Sequence, residues 1–276
     1  MRGRRLIPLL VAGLIAIGAA NAWADATEDF KRGEEAFNTG QFETAMTWYR
    51  KAADAGSAAA QFKLGNAYSE GTGVTQDYAE ALKWFRKAAD QGYARAQTSL
   101  GYAYDHGEGV ARDAAQSVFW YRKAAEQGDL YAQRALAADY ANGDGVAADP
   151  AEAAAWARKA GEGGDLQSQI MLGMAYAAGK GVPQDYKQAA EWFRKAAEQG
   201  DGFAQTRLGF QYAQGQGVKK DIVEAYMWFA IALAGGYSDA QQYRLQFQKE
   251  ISQDELDTAE QRAKDWRTEF DKRKSG

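Results

Sequence analysis

The sequence predicts an all-α protein built from repeated helix pairs, and three observations carry that prediction. Tryptophan stands at positions 48, 84, 120, 156, 192 and 228, every step being 36 residues. Glycine keeps the same step at 56, 92, 128, 164, 200 and 236, and a Gly-x-Gly-Val loop begins at Gly71, Gly107, Gly143, Gly179 and Gly215. Composition agrees, because 3 prolines against 30 glycines in 276 residues suits many helices uninterrupted by proline and closed by glycine. Self-similarity at a fixed period of a few tens of residues is the mark of a repeat array.

The first 24 residues read as an export signal rather than as part of the array. Arg2, Arg4 and Arg5 form a basic start, residues 6–20 are apolar but short for a spanning helix, and Ala22-Trp23-Ala24 is an A-x-A cleavage site. Ala20-Asn21-Ala22 is the alternative site, and an uncleaved anchor is the competing reading. The preferred expectation is a signal peptide over residues 1–24, cut after Ala24, and a periplasmic product without stable membrane insertion. Cleavage leaves 30 Lys+Arg against 37 Asp+Glu, a formal charge of −7 in place of −4. Such an acidic product excludes nucleic acid as a partner.

Each unit reads as two helices. In the second repeat helix A spans residues 58–70 and helix B residues 78–91. Helix B opens on Asp77, Asp113, Asp149, Asp185 and Asp221, followed three residues later by Glu80, Gln116, Glu152, Gln188 and Glu224. That spacing predicts a reciprocal capping box. Pro150 at the first helical position supports the register. Ala81, Trp84, Phe85 and Ala88 fall on one face of helix B, and Ala60, Leu64, Ala67 and Tyr68 on one stripe of helix A. Gly65, Gly101, Gly173 and Gly209 sit in mid-helix, where glycine costs about 1 kcal/mol relative to alanine. Such a recurring cost predicts two helices crossing too closely for a β-carbon, and Ala137 is the one departure.

The ends of the array differ from its middle. The N-terminal unit, residues 25–56, has a shorter loop at Asn38-Thr39-Gly40, and five full repeats occupy residues 57–236. In the last repeat the recurring Arg-Lys pair becomes Ala230-Ile231, so residues 226–234 are apolar on all sides and need a cover. Residues 237–276 supply it as a C-terminal capping hairpin. Ser252 and Glu255 form a capping box, and Leu256, Ala259, Ala263, Trp266 and Phe270 form one apolar stripe.

The block A-x-x-x-L-G-x-x-Y-x-x-G-x-G-V-x-x-D-x-x-x-A-x-x-W-F/Y-R-K-A-A-E/D-Q-G resembles the Sel-one-like repeat (SLR), a relative of the tetratricopeptide repeat, and the N-terminal unit is more similar to the latter. The resemblance covers nearly all the chain after residue 24. It implies a right-handed α-solenoid that acts as an adaptor or scaffold. Exported bacterial members are often envelope proteins, including regulators of sensor kinases and of exopolysaccharide production.

In tetratricopeptide arrays the ligand-facing side chains come from helix A. Carried over by phase, those slots hold Phe62 and Asn66, then Arg95 and Tyr102, Tyr131 and Arg134, Ile170 and Met174, and Phe203 and Phe210. They vary between units while the packing positions do not, and their aromatic, Met and Arg character suits an interface. The expected partner is a protein or peptide in the concave groove. A structural scaffold for envelope polysaccharide is the alternative, and a hydrolase a remote one.

Other patterns argue against chemistry. There is no cysteine, no Ser-x-x-Lys and a single histidine, His106, so no catalytic residue is assigned and no cofactor or metal is expected. The Gly-x-Gly-Val loops lack the Gly-Lys-Ser/Thr that cradles phosphate. Residues 140–151 miss the first and last ligands of a calcium loop. The Arg-Lys pairs at 50–51, 86–87, 122–123, 158–159 and 194–195 are expected on a solvated face, neutralised by acids one turn on.

Overall fold

The computed structural model describes residues 25–275. The predicted signal peptide and its cut after Ala24 fall on residues 1–24, outside the described residues. Every regular element among the described residues is helical. Helix α1 covers residues 25–38. Eleven helices of 13 residues follow: α2 (Phe42–Asp54), α3 (Ala58–Glu70), α4 (Tyr78–Asp90), α5 (Ala94–His106), α6 (Ala114–Glu126), α7 (Leu130–Asn142), α8 (Pro150–Glu162), α9 (Leu166–Ala178), α10 (Tyr186–Glu198), α11 (Gly202–Gln214) and α12 (Ile222–Ala234). Helix α13 (Ala240–Phe247), a 3₁₀ turn (Gln248–Glu250) and α14 (Gln253–Ser275) complete the chain. Odd-numbered helices up to α11 are A helices and even-numbered ones up to α12 are B helices. The residues divide into two compact units, one ending at Ala132 and the other beginning at Gln133.

Successive helices from α2 to α6 and from α8 to α13 pack on one another, and α14 packs on α12. The core of a pair is set by the 36-residue cadence. Leu64, Leu100, Leu136, Leu172 and Leu208 are wholly buried, and Trp84, Trp120, Trp156, Trp192 and Trp228 are buried on the B helices. The mid-helix glycines prove to accommodate rings rather than a backbone crossing. A β-carbon on Gly65 would stand 2.4 Å from the Phe85 ring, and one on Gly101 or Gly173 would stand 2.5 Å from Tyr121 or Phe193. The ring lies 20 residues after its glycine. In the fourth repeat that later position is Ala157, and the earlier one is Ala137. Glycine is kept where an aromatic ring needs its place and replaced where the ring is gone. In the N-terminal unit the same fit joins Gly33 to Tyr49, 16 residues on, because the shorter loop removes four residues.

Capping departs from the expected reciprocal box. The aspartates do cap, Asp77 accepting from the Glu80 N–H at 3.0 Å and Asp221 from the Glu224 N–H at 2.9 Å. Their own N–H groups, however, donate to tyrosine carbonyls near the end of the preceding helix, Asp77 to Tyr68 at 2.8 Å and Asp185 to Tyr176 at 3.0 Å. This bond closes the A–B loop and fixes its length. The freed Glu80 pairs instead with Lys83 at 2.7 Å. Helix B closes through a Schellman turn: Tyr93 N–H donates to the Ala88 carbonyl and Gly92 N–H, at φ 87°, to that of Ala89.

The Arg-Lys pairs also differ from expectation. Arg50, Arg86, Arg158 and Arg194 turn onto tyrosines of the next helix, and the lysines onto tryptophans of their own. Arg86 donates to the Tyr104 hydroxyl at 2.6 Å, and Arg50, Arg158 and Arg194 reach Tyr68, Tyr176 and Tyr212 in the same way. The lysine lies over the tryptophan of its own helix, Lys87 and Lys159 at 3.8 Å from the ring centres. In the last repeat, where Ile231 replaces that lysine, Trp228 instead meets Trp266 of α14 edge-on at 5.7 Å. The capping box predicted there does form, with Ser252 N–H donating to Glu255 at 2.9 Å and Glu255 N–H to the Ser252 hydroxyl at 3.4 Å.

Candidate functional site

A chain of glutamines runs between the repeats, and it was not recognised in the sequence. The Gln61 amide donates to the Ala53 carbonyl at 3.0 Å, and its oxygen accepts from Gln91 at 2.7 Å. Gln97 with Gln127, and Gln169 with Gln199, repeat the arrangement. The signal was available, since a glutamine follows a buried small residue (alanine four times, serine at 168) at 61, 97, 133, 169 and 205. These buried amides tie one pair to the next, so a B helix cannot slide without stranding polar groups.

That rigidity frames a pocket that recurs at one phase of the repeat. Its walls are an A helix, the first turns of the following B helix and the next A helix. In the first unit it lies among α3, α4 and α5, has about 270 Å³, and is lined by Asn66, Tyr78, Leu82, Tyr102, Glu108 and Tyr131 among others. In the second unit the same position among α7, α8 and α9 has about 290 Å³ and is mostly apolar, with Pro150, Met171, Met174 and Lys180. Its neighbour among α9, α10 and α11 has about 330 Å³ and presents Tyr186, Arg207, Phe210 and Gln216. The lining changes from pocket to pocket while the scaffold does not.

The sequence-predicted site residues fall into two groups. Asn66, Tyr102, Tyr131, Met174 and Phe210 line the pockets, and Tyr102, Tyr131 and Met174 are well exposed for large apolar side chains. Phe62, Arg95, Arg134, Ile170 and Phe203 lie outside them. Phe62 packs on Phe85 and Tyr93 at ring separations of 5.9 and 5.3 Å, and Phe203 lies against Phe193 and Tyr237 at 6.4 and 6.5 Å. Arg134 pairs with the capping Asp165 at 3.6 Å, Arg95 is exposed, and Ile170 is half-buried. Phe210 also touches Tyr243 and Phe247 of α13.

Sequence reasoning missed two contributors, the first residues of helix B (Tyr78, Pro150, Tyr186) and the residue between the two loop glycines (Glu108, Lys180, Gln216). The loop is placed by its second glycine. A β-carbon on Gly181, at φ 77°, would lie 1.9 Å from the Pro150 carbonyl oxygen, so the loop rests directly on the first turn of α8. His106 stacks on Tyr102 at 3.9 Å with its Nδ1 3.1 Å from the Tyr102 carbonyl oxygen. Burial, followed by the negative charge of Glu108, pushes the Tyr102 phenol above its ordinary range. No group of three or more metal-ligating side chains occurs among the described residues, and no helix there is long and apolar enough to cross a membrane.

Stacked helix pairs on a fixed 36-residue frame define an α-solenoid repeat protein. The Sel1 repeat model matches residues 39–57, 58–93, 94–129, 130–165, 166–201 and 202–237, and the chain belongs to the Sel1 repeat family. Its structure is similar to a protective antigen of uropathogenic Escherichia coli that displays an SLR fold. The two share 37% identity and a TM-score of 0.79 over 90% of this chain and 54% of that one. The chain therefore spans about half the length of that relative. It is also similar to a Sel1 repeat protein from Oxalobacter formigenes, with 34% identity and a TM-score of 0.70 over 75% of this chain and 85% of that one. A comparison with curated proteins found no match.

Proposed function

We propose that this protein is an exported, non-catalytic scaffold that holds an extended segment of a partner protein against its A helices. The observation that supports this reading is the recurrence of one pocket position with three different linings. An array kept rigid by rings and glutamines leaves little ordering cost on its own side of the encounter. Pockets spaced along a surface take successive side chains of an extended peptide. Export would follow from the signal over residues 1–24 and would place the scaffold in the periplasm, acting in envelope signalling or exopolysaccharide regulation.

The test is co-purification from an envelope extract with wild type and with the double variant Tyr102→Ala/Met174→Ala, both proteins checked for equal helicity. Loss of a specific protein band in the variant supports the proposal. Retention of the same bands by both proteins, or recovery of polysaccharide alone, overturns it.

A further inference from the structure

The recurring pockets share one component whose charge changes, the residue between the two loop glycines: Glu108 in the first unit, Lys180 and Gln216 in the second. We propose that this residue selects the charge of the partner side chain entering each pocket, and that the Glu108 pocket takes a lysine or arginine of a bound peptide. The inference rests on the peptide-binding reading above and names what that site recognises.

The loop holds Glu108 in place. Gly107 and Gly109 have φ of 75° and 69°, and a β-carbon on Gly109 would stand 2.5 Å from the Tyr78 backbone. The residue between them is therefore pinned at the mouth of the pocket beside α4, not carried on a free loop. Three tyrosines, Tyr78, Tyr102 and Tyr131, line the same space. Aromatic faces attract a cation, and a carboxylate beside them adds a charge-assisted hydrogen bond. One face of Tyr102 is already covered by His106, and burial together with the Glu108 charge raises the Tyr102 phenol above its ordinary range.

Glu108 is also the acid with charge to spare. Its neighbour Asp105 has Arg112 at 3.6 Å and His106 at 3.6 Å, whereas no basic side chain pairs with Glu108 among the described residues. A basic side chain supplies what the pocket lacks, and the net negative charge of the chain favours its approach. The equivalent pocket with Lys180, Met171 and Met174 has the opposite sign on an apolar wall. A neutral sugar would use the tyrosines but gain nothing particular from the carboxylate.

The full chain is panned against a phage library of random dodecapeptides. Enriched peptides are then titrated calorimetrically against wild type, Glu108→Gln, Glu108→Lys and, as a control, Glu126→Gln, an exposed acid on α6. The expected result is peptides with a lysine or arginine whose replacement by alanine weakens binding about tenfold. Glu108→Gln weakens them by about the same factor, Glu108→Lys by more, and Glu126→Gln by less than about twofold. Equal losses in Glu108→Gln and Glu126→Gln would reveal only diffuse attraction and overturn the proposal. Peptides indifferent to Glu108, or chitotetraose binding lost in Tyr102→Ala but kept in Glu108→Gln, would overturn it as well. Absence of any enriched peptide would overturn the scaffold reading with it, whereas Glu108-independent peptides leave that reading standing.

Discussion

Gly173 and Phe193 occupy one volume between them, and the Ala137 and Ala157 positions divide that volume differently. Gly173→Ala drives a methyl group into a ring that is almost wholly buried, an overpacking that costs about 1–3 kcal/mol. Phe193→Ala alone leaves a cavity and costs about 3–5 kcal/mol. In the double variant the clash is gone and alanine's helix propensity returns up to about 1 kcal/mol, so the pair is no less stable than Phe193→Ala alone. Urea melts of the four proteins in a double-mutant cycle check this, and simple additivity would contradict it. At the same scale, Tyr104→Phe removes the hydroxyl that accepts from Arg86 and costs about 0.5–1.5 kcal/mol, read in the same melts.

The C-terminal helix is the element on which the last repeat depends. Met227 and Ile231 are buried where other B helices carry residues such as Lys83 and Lys87, and α14 covers this side of α12 through Ala259, Ala263 and Trp266. Trp266→Ala is expected to cost about 3 kcal/mol or more and to increase binding of a dye specific for exposed apolar surface. Glu224 adds a pH signature. Burial raises its carboxyl above the ordinary value against the opposing pull of Arg262. A carboxyl whose folded pKa exceeds its unfolded one contributes stability at low pH, and that contribution is lost as pH rises through the folded value. Glu224→Gln should therefore raise the thermal midpoint near neutral pH and lose that advantage below the carboxylate range, as melts from pH 3 to 8 would measure.

Elements and their order could be read from residue spacing alone, down to the 58–70 limits of α3, because packing demands the same residue in every turn of the array. The cover over residues 226–234 followed from an apolar run that had nowhere to face. What spacing hid was partnership. Glycine in mid-helix announces crowding but not by what, and the rings of Phe85, Tyr121 and Phe193 lie a helix away. An Arg-Lys pair beside an acid one turn on reads as an ion pair, yet the tyrosine 18 residues later wins the arginine. Of the site, Tyr102, Tyr131 and Met174 were visible as variable slots. Glu108 and Lys180 escaped notice because the loop was weighed for its glycines and not for the residue between them.

At the scale of the molecule, each repeat is bounded by bonds that look alike at both ends. The Asp-to-Tyr closure, the Schellman turn and the glutamine pair all recur at the 36-residue step. A second copy of residues 166–201 inserted after residue 201 should therefore fold in place. The ellipticity at 222 nm per molecule should rise in proportion to the added helix, and the urea m-value should increase with the surface buried. An insertion of half that length breaks every pairing and should yield an insoluble or partly unfolded product.

The seat of the Gly-x-Gly loop on the preceding helix has a bearing on how such proteins diversify. Its two glycines are answerable to the backbone beneath them, while the residue between them differs in every unit: Thr72, Glu108, Asp144, Lys180 and Gln216. A single codon there can pass from acid to base to amide, as Glu108, Lys180 and Gln216 do, without disturbing a neighbour. Under the charge selection proposed above, shape and preference would thus be encoded at separate positions, and a new partner would need only one point mutation.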